Sequence, residues 1–212
     1  MGESIGATLD IPWENVESEG AVVVLVRHGR TAWNAQRRFL GSTDIPLDEV
    51  GQSGAESLGQ RIGGRFDAVF SSPLSRARQT AEYLGTPVER VPALSELRQG
   101  DLEGLTMPEG LERYGAYFER WKLEPEVARV PGGGESLGDV RDRAMPAVLR
   151  IARGGRGVIA VVTHQMVIAT VCCVASGRPL AEYSQWTVGN LGVSVLGLRD
   201  GALYVAASGC TV

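Results

Sequence analysis

Two valine-rich runs, each ending on a histidine, constrain this chain more than any other feature. Ala21 to Val26 leads into Arg27-His28-Gly29, and Val158 to Val162 leads into Thr163-His164-Gln165. A continuous β-branched run without polar alternation is the pattern of a strand buried on both faces, as in a parallel sheet covered by helices. Helical stripes lie between the two runs: Ala55, Leu58 and Ile62; Leu74, Ala77, Ala81 and Leu84; Val140, Ala144, Val148 and Ile151. Residues 67–71 read as a further short strand. The second stripe follows Ser71-Ser72-Pro73, where serine is expected to cap the helix and proline to sit in its first turn. Pro146 is expected to kink the third helix or mark its boundary. Residues 193–198 and 202–206 flank Arg199-Asp200-Gly201, a turn consistent with a hairpin. Strands alternating with helices imply an α/β sandwich with a mostly parallel sheet, and ligands of such sheets bind at the carboxyl ends of the strands. Both histidines of the chain are placed there.

With 212 residues, the chain is expected to form one domain over residues 21–212 behind an acidic N-terminal tail, residues 1–20. That tail carries Glu3, Asp10, Glu14, Glu17 and Glu19 with no Lys or Arg, so it lacks the basic start of a signal peptide and reads as loosely held. Residues 100–135, rich in Gly, Pro and Glu with Tyr114, Tyr117, Phe118 and Trp121, read as an excursion carrying short helices, a candidate lid. Val158 to Ala175 is about as long as a short membrane span, but Thr163, His164 and Gln165 interrupt it, so it reads as strand, polar loop and helix. Three cysteines, two of them adjacent, form neither a disulfide framework nor a metal-ligand spacing and fit a reducing cytoplasm. A net charge of -4 provides no general attraction to nucleic acid or an anionic membrane. Any bound anion has to be met by a local basic pocket.

Such a pocket is legible. Arg27 precedes His28, and Arg76 and Arg78 lie near the start of the helix after the second strand, where free backbone N–H groups also favour an anion. A guanidinium presents a planar fork of donors that matches two oxygens of a phosphate. Two histidines and these arginines at one rim of a sheet point to a phosphate site.

These residues resemble the histidine phosphatase superfamily, also called phosphoglycerate mutase-like, over roughly residues 21–195. Leu25-Val26-Arg27-His28-Gly29-Arg30-Thr31 with Asn34 is similar to the family's nucleophile motif, and Gly41 to Leu47 with Gly51 to the segment after it. Residues 71–81, from Ser71 to Ala81, resemble its second arginine motif. Leu94-Ser95-Glu96-Leu97, with Gly100 and Glu103-Gly104, resembles its acid motif; Gly133-Gly134-Glu135-Ser136 and Val161-Val162-Thr163-His164 complete the set. The resemblance implies a three-layer α/β/α sandwich with a mostly parallel, mixed central sheet.

It also implies roles. His28 would be the nucleophile that forms a phosphohistidine; Arg27, Arg76 and His164 would bind the phosphoryl oxygens; Glu96 would be the general acid and base. Asn34 would add a hydrogen bond to the phosphate. Thr31 would orient the loop or simply cap it. Glu103 and Glu135 read as structural or rim residues. No cofactor is implied and no metal, since no cluster of His or Cys is present and both histidines are already assigned.

Two departures bear on the substrate: Gln165 stands where the family has glycine, and Leu102 where an aromatic residue is common. Gln165 is therefore a candidate substrate contact. The expected activity is hydrolysis of a small phosphorylated metabolite, a phosphomonoester. The alternatives are phosphoryl transfer between hydroxyls of a sugar-acid phosphate, as in the mutases, and, behind it, dephosphorylation of phosphoproteins or phosphohistidine. Residues 104–131 carry only Arg113, Arg120, Lys122 and Arg129, fewer basic groups than a mutase clamp calls for. A non-catalytic phosphate-binding module would need a missing catalytic residue, and none is missing. A homodimer is compatible with this reading; no nucleic acid or membrane partner is expected.

Overall fold

The computed structural model describes residues 13–210. The two valine runs form adjacent parallel strands, β1 (Val22–Arg27) and β4 (Val158–Thr163), with Arg27 opposite Thr163. On one side β4 pairs in parallel with β2 (Ala68–Ser71), which pairs in parallel with β3 (Val88–Arg90). On the other side β5 (Val193–Arg199) runs antiparallel to β1, and β6 (Ala202–Cys210) antiparallel to β5. The sheet order is β3-β2-β4-β1-β5-β6, mixed, with its first four strands all parallel and the last two joined antiparallel.

Strand alternation distributes the core. From β1, Val23 and Leu25 face one layer with α5 (Leu137–Gly154) and α6 (Gln165–Ala175), whereas Val22, Val24 and Val26 face the other with α2 (Glu49–Ile62) and α3 (Ser75–Glu82). Both faces of the central strands are thus covered, which is why their sequences carry no polar alternation. The β5–β6 hairpin turns through Asp200 (φ 50°) and Gly201 (φ 71°), two successive left-handed residues of the kind that match the strand twist. The stretch tested as a membrane span is β4, His164 and α6; among the described residues no helix is long and apolar enough to cross a membrane.

Four local expectations are revised. The helix carrying the Ala55, Leu58 and Ile62 stripe starts earlier than the stripe, at Glu49, because Asp48 caps it by accepting the Gly51 N–H at 2.7 Å. The cap of α3 comes from far along the chain: Asp44 accepts the Ser75 N–H at 2.7 Å and its hydroxyl at 2.8 Å, leaving Ser72 for another task. Pro146 lies inside α5 without ending it, since Val140, Ala144, Val148 and Ile151 are buried on both sides of it and packing outweighs the missing hydrogen bond. The segment read as a loose tail is packed where it is described. Trp13 is buried against Phe66, and the Ser18 hydroxyl accepts the Leu198 N–H at 2.9 Å; residues 1–12 lie outside the described residues.

The excursion over 100–135 holds a 3₁₀ turn (Gly100–Leu102) and α4 (Met107–Leu123), which is kinked at Tyr114. Its Trp121 is buried and bonds through Nε1 to the Tyr183 hydroxyl at 2.9 Å, tying the excursion to the 3₁₀ segment Leu180–Trp186.

Candidate active site

Because β1 and β4 are parallel neighbours, the residues that follow them meet. The His28 N–H donates to the Thr163 carbonyl at 3.0 Å, and the His28 and His164 rings lie 5.1 Å apart, centroid to centroid. Both rings are buried. The loop after β1 is pressed onto α2 through two glycines: a Cβ on Gly29 would lie 2.7 Å from the Gly51 carbonyl oxygen, and one on Gly51 would collide with the Arg30 carbonyl. The Gly29 N–H also donates to the Thr80 hydroxyl at 3.0 Å.

The His28 tautomer follows from its partner. Nδ1 lies 2.7 Å from the Gly29 carbonyl oxygen, which can only accept, so Nδ1 carries the proton and the lone pair of the neutral ring is on Nε2. Burial, then Arg76 and Arg27, hold the pKa of His28 well below the ordinary histidine value, so the ring is neutral at physiological pH. His164 is held neutral by burial and then by Arg76, with His28, Arg143 and Arg27 contributing in that order. Its Nε2 lies 2.7 Å from the Ser72 hydroxyl. With that hydroxyl donating, His164 Nδ1 carries a proton to offer elsewhere.

Arg76, wholly buried, donates to the Thr43 carbonyl at 3.0 Å and the Gly41 carbonyl at 2.8 Å; Arg27 donates to the Val188 carbonyl at 2.7 Å. Each leaves its Nε without a hydrogen-bond partner. Among the described residues the buried side-chain atoms without a hydrogen-bond partner include Arg27 Nε, Arg76 Nε and His164 Nδ1. Unpaired buried donors are costly unless a ligand meets them, so these three nitrogens could receive the oxygens of an anion.

Glu96 completes the cluster. It is buried, accepting the Leu97 N–H at 2.9 Å and the Met166 N–H at 3.4 Å. Burial raises its pKa above the ordinary carboxylate value, against the opposing pull of the Leu97 N–H, Arg76 and Arg27. A cavity of about 480 Å³ has Arg27, His28, Asn34, Glu96 and Gln165 in its wall, whereas Arg76 and His164 lie behind it and do not line it. A larger hollow of about 750 Å³ lies between the β2–β3 edge and α5, and neither histidine nor Glu96 lines it.

The remaining sequence candidates divide. Asn34 and Gln165 line the cavity, whereas Thr31 is fully buried and its hydroxyl accepts the Asn34 N–H at 3.2 Å as the cap of a short helix, α1 (Ala32–Ala35). Glu103 clamps the loop that meets Arg76, accepting the Thr43 N–H at 2.9 Å. Glu135 is buried under Arg143, which reaches the carbonyls beside Glu96. Sequence reading missed Ser72 as the partner of His164, and Asn190, whose amide donates to the His28 carbonyl at 3.0 Å and the Asn34 side chain at 3.3 Å. Ser72 lay within a recognised motif; nothing near Asn190 signalled it. Among the described residues no group of three His, Cys, Asp or Glu side chains is placed to hold a metal ion.

Comparison with known proteins agrees with this geometry. The model of the histidine phosphatase superfamily, branch 1, matches residues 23–211. A metal-independent phosphoserine phosphatase of Arabidopsis thaliana is 36% identical over 209 residues, covering 93% of this chain and 86% of the relative. A 2,3-bisphosphoglycerate-dependent phosphoglycerate mutase of Mesorhizobium japonicum is 32% identical over 190 residues, 82% of this chain and 90% of the relative. Among solved structures, the phosphoserine phosphatase of Entamoeba histolytica in complex with 3-phosphoglyceric acid superposes with a TM-score of 0.82 at 25% identity, over 90% of this chain and 98% of that one. The chain belongs to the histidine phosphatase superfamily and is an enzyme of that family.

Proposed function

We propose that this enzyme is a metal-independent phosphatase that hydrolyses a small phosphomonoester through a phosphohistidine on His28, with residues 21–212 acting as one catalytic domain. The observation that carries the reading is the neutral, buried His28, with its lone pair on Nε2, set among the unpartnered donors of Arg27, Arg76 and His164. A phosphoryl group supplies oxygens to all three. Asn34 and Gln165 line the cavity and in this reading contact the ester, while Thr31 acts through the helix cap that holds Asn34.

In the first step His28 Nε2 attacks phosphorus, the bond to the ester oxygen breaks, and protonated Glu96 gives its proton to that oxygen, releasing the alcohol. In the second, a water molecule attacks phosphorus while the Glu96 carboxylate takes its proton. The phosphorus–nitrogen bond breaks, inorganic phosphate forms, and His28 is neutral again. The arginines and His164 offset charge on the equatorial oxygens throughout and oppose protonation of His28.

A second reading, phosphoryl transfer between hydroxyls of a sugar-acid phosphate, is favoured by Arg37 and Arg38 in the cavity wall. Against it, none of Arg113, Arg120, Lys122 and Arg129 lines the cavity, and Arg120, Lys122 and Arg129 are paired with Glu124, Glu119 and Asp139. The test is a screen of phosphomonoesters with a chelator present, scoring phosphate release against isomer formation. Hydrolysis is expected to be unaffected by the chelator. Isomer formation without phosphate release would favour the mutase, and loss of activity with the chelator would overturn the metal-free reading.

A further inference from the structure

A second, smaller cavity of about 140 Å³ adjoins the one lined by His28, sharing Phe39, Gln99, Met107, Met166 and Tyr183 with it. The rest of its wall is Leu97, Leu102 and, from α4, Tyr117, Phe118 and Trp121. The rings are fixed against one another: Phe39 and Phe118 have centroids 6.0 Å apart, and Trp121 meets Tyr183 edge-on at 6.1 Å with its Nε1 bonded to the phenol oxygen. Such walls need little reorganisation to receive a guest.

The annex opens beside the proton donor. The Met166 backbone N–H holds Glu96, and the Met166 side chain lines both cavities. The oxygen that Glu96 protonates belongs to the leaving group, so the carbon attached to it starts at the annex mouth. Arg37 and Arg38 line the larger cavity and not the annex. Burial, with Tyr183 adding to it, pushes the Tyr117 phenol well above its ordinary pKa, so this wall is uncharged. A carboxylate or ammonium entering the annex would lose its hydration without a charged partner. An apolar group would not, and a dry apolar cavity of about 150 Å³ is large enough to accept benzene.

Resting on the phosphatase reading above, we propose that the annex binds the leaving group, and that the preferred substrates are phosphomonoesters whose alcohol carries an apolar group the size of a single ring. Met166 and Phe118 then set specificity, Met166 where the two cavities share a wall and Phe118 within the annex alone.

The test compares two non-hydrolysable ligands, phenylphosphonate and methylphosphonate, by calorimetric titration of the full chain. Phenylphosphonate is expected to bind roughly tenfold or more tighter, the gain of burying a ring. In Phe118→Trp, which narrows the annex, the preference is expected to fall below about threefold while the melting temperature stays near that of the wild type. Equal binding of the two ligands by the wild type would overturn the annex proposal and leave the phosphate site standing. Binding of neither would overturn both. Should Phe118→Trp fail to fold, the wild-type comparison decides; a folded Phe118→Trp that keeps the full preference would also contradict the proposal.

Discussion

Arg143 grips Glu135 through two hydrogen bonds of 3.0 Å and spends its remaining donors on the carbonyls of Ala93, Ser95 and Glu96. One guanidinium from α5 thereby fixes the turn that carries the proposed acid. Arg143→Ala would leave the buried Glu135 with only the Arg98 N–H at 3.0 Å and the Arg98 guanidinium at 3.7 Å, so unfolding in denaturant is expected to show a loss of roughly 1–3 kcal/mol. In the folded Arg143→Lys variant, kcat is expected to fall more than KM rises, because the fork that sets the Glu96 turn is lost while the phosphate donors stay. A Lys variant with wild-type kcat would show that this grip serves stability alone.

Protonation should couple to stability through the two histidines. Both have folded-state pKa values below the ordinary 6.5, so between the two values the unfolded chain binds more protons than the folded one. Their contribution is complete above about pH 6.5 and is lost as pH falls below it, by up to roughly 1.4 kcal/mol per pH unit for each ring. Glu96, with a raised pKa, contributes in the opposite sense: its share is complete below the ordinary carboxylate pKa and is lost as pH rises through the raised one. Denaturant unfolding of wild type and His164→Asn from pH 5 to 8 tests the histidine part, and the variant should show the shallower slope. Identical slopes would contradict the assignment.

Glu96→Gln removes the proposed proton donor and acceptor while keeping the shape. For an alkyl phosphate, whose leaving oxygen needs a proton, turnover is expected to fall by about 10²–10⁴-fold. For a nitrophenyl phosphate, whose leaving group needs none, the first step should survive and phosphoenzyme should accumulate, because the second step has lost its base. Rapid-quench measurement of a burst checks this; an equal loss with both substrates and no burst would contradict the role.

Arg76 holds the Gly41 and Thr43 carbonyls with two nitrogens and has Nε left for the ligand. Lysine offers no such fork. In Arg76→Lys, inhibition by inorganic phosphate is expected to weaken by roughly tenfold or more, the worth of a charge-assisted hydrogen bond. Unchanged inhibition would remove Arg76 from the phosphate site.

Much of this was legible in the sequence for a physical reason. Strands buried on both faces cannot alternate, so β1 and β4 stand out as valine runs, and the residues just past their ends fall at the rim where His28 and His164 meet. What was not legible depends on contacts between distant segments. Asp44 caps a helix 31 residues on, and Asn190 reaches the His28 carbonyl across 162 residues. Serine before proline suggested a helix cap, yet the Ser72 hydroxyl is needed by His164, a partner that only the β2–β4 pairing brings into reach. The continuity of α5 through Pro146 was hidden for the same reason, since it depends on packing against the sheet.

The central claim is that His28 Nε2 forms the bond to phosphorus. The most direct measurement is to quench the enzyme during turnover of a ³²P-labelled phosphomonoester and map the label by peptide mass spectrometry. Phosphate that is labile in acid and stable in base is expected on the peptide containing His28, and none in His28→Ala, which should have lost turnover. Label on another residue, or full activity in His28→Ala, would contradict it.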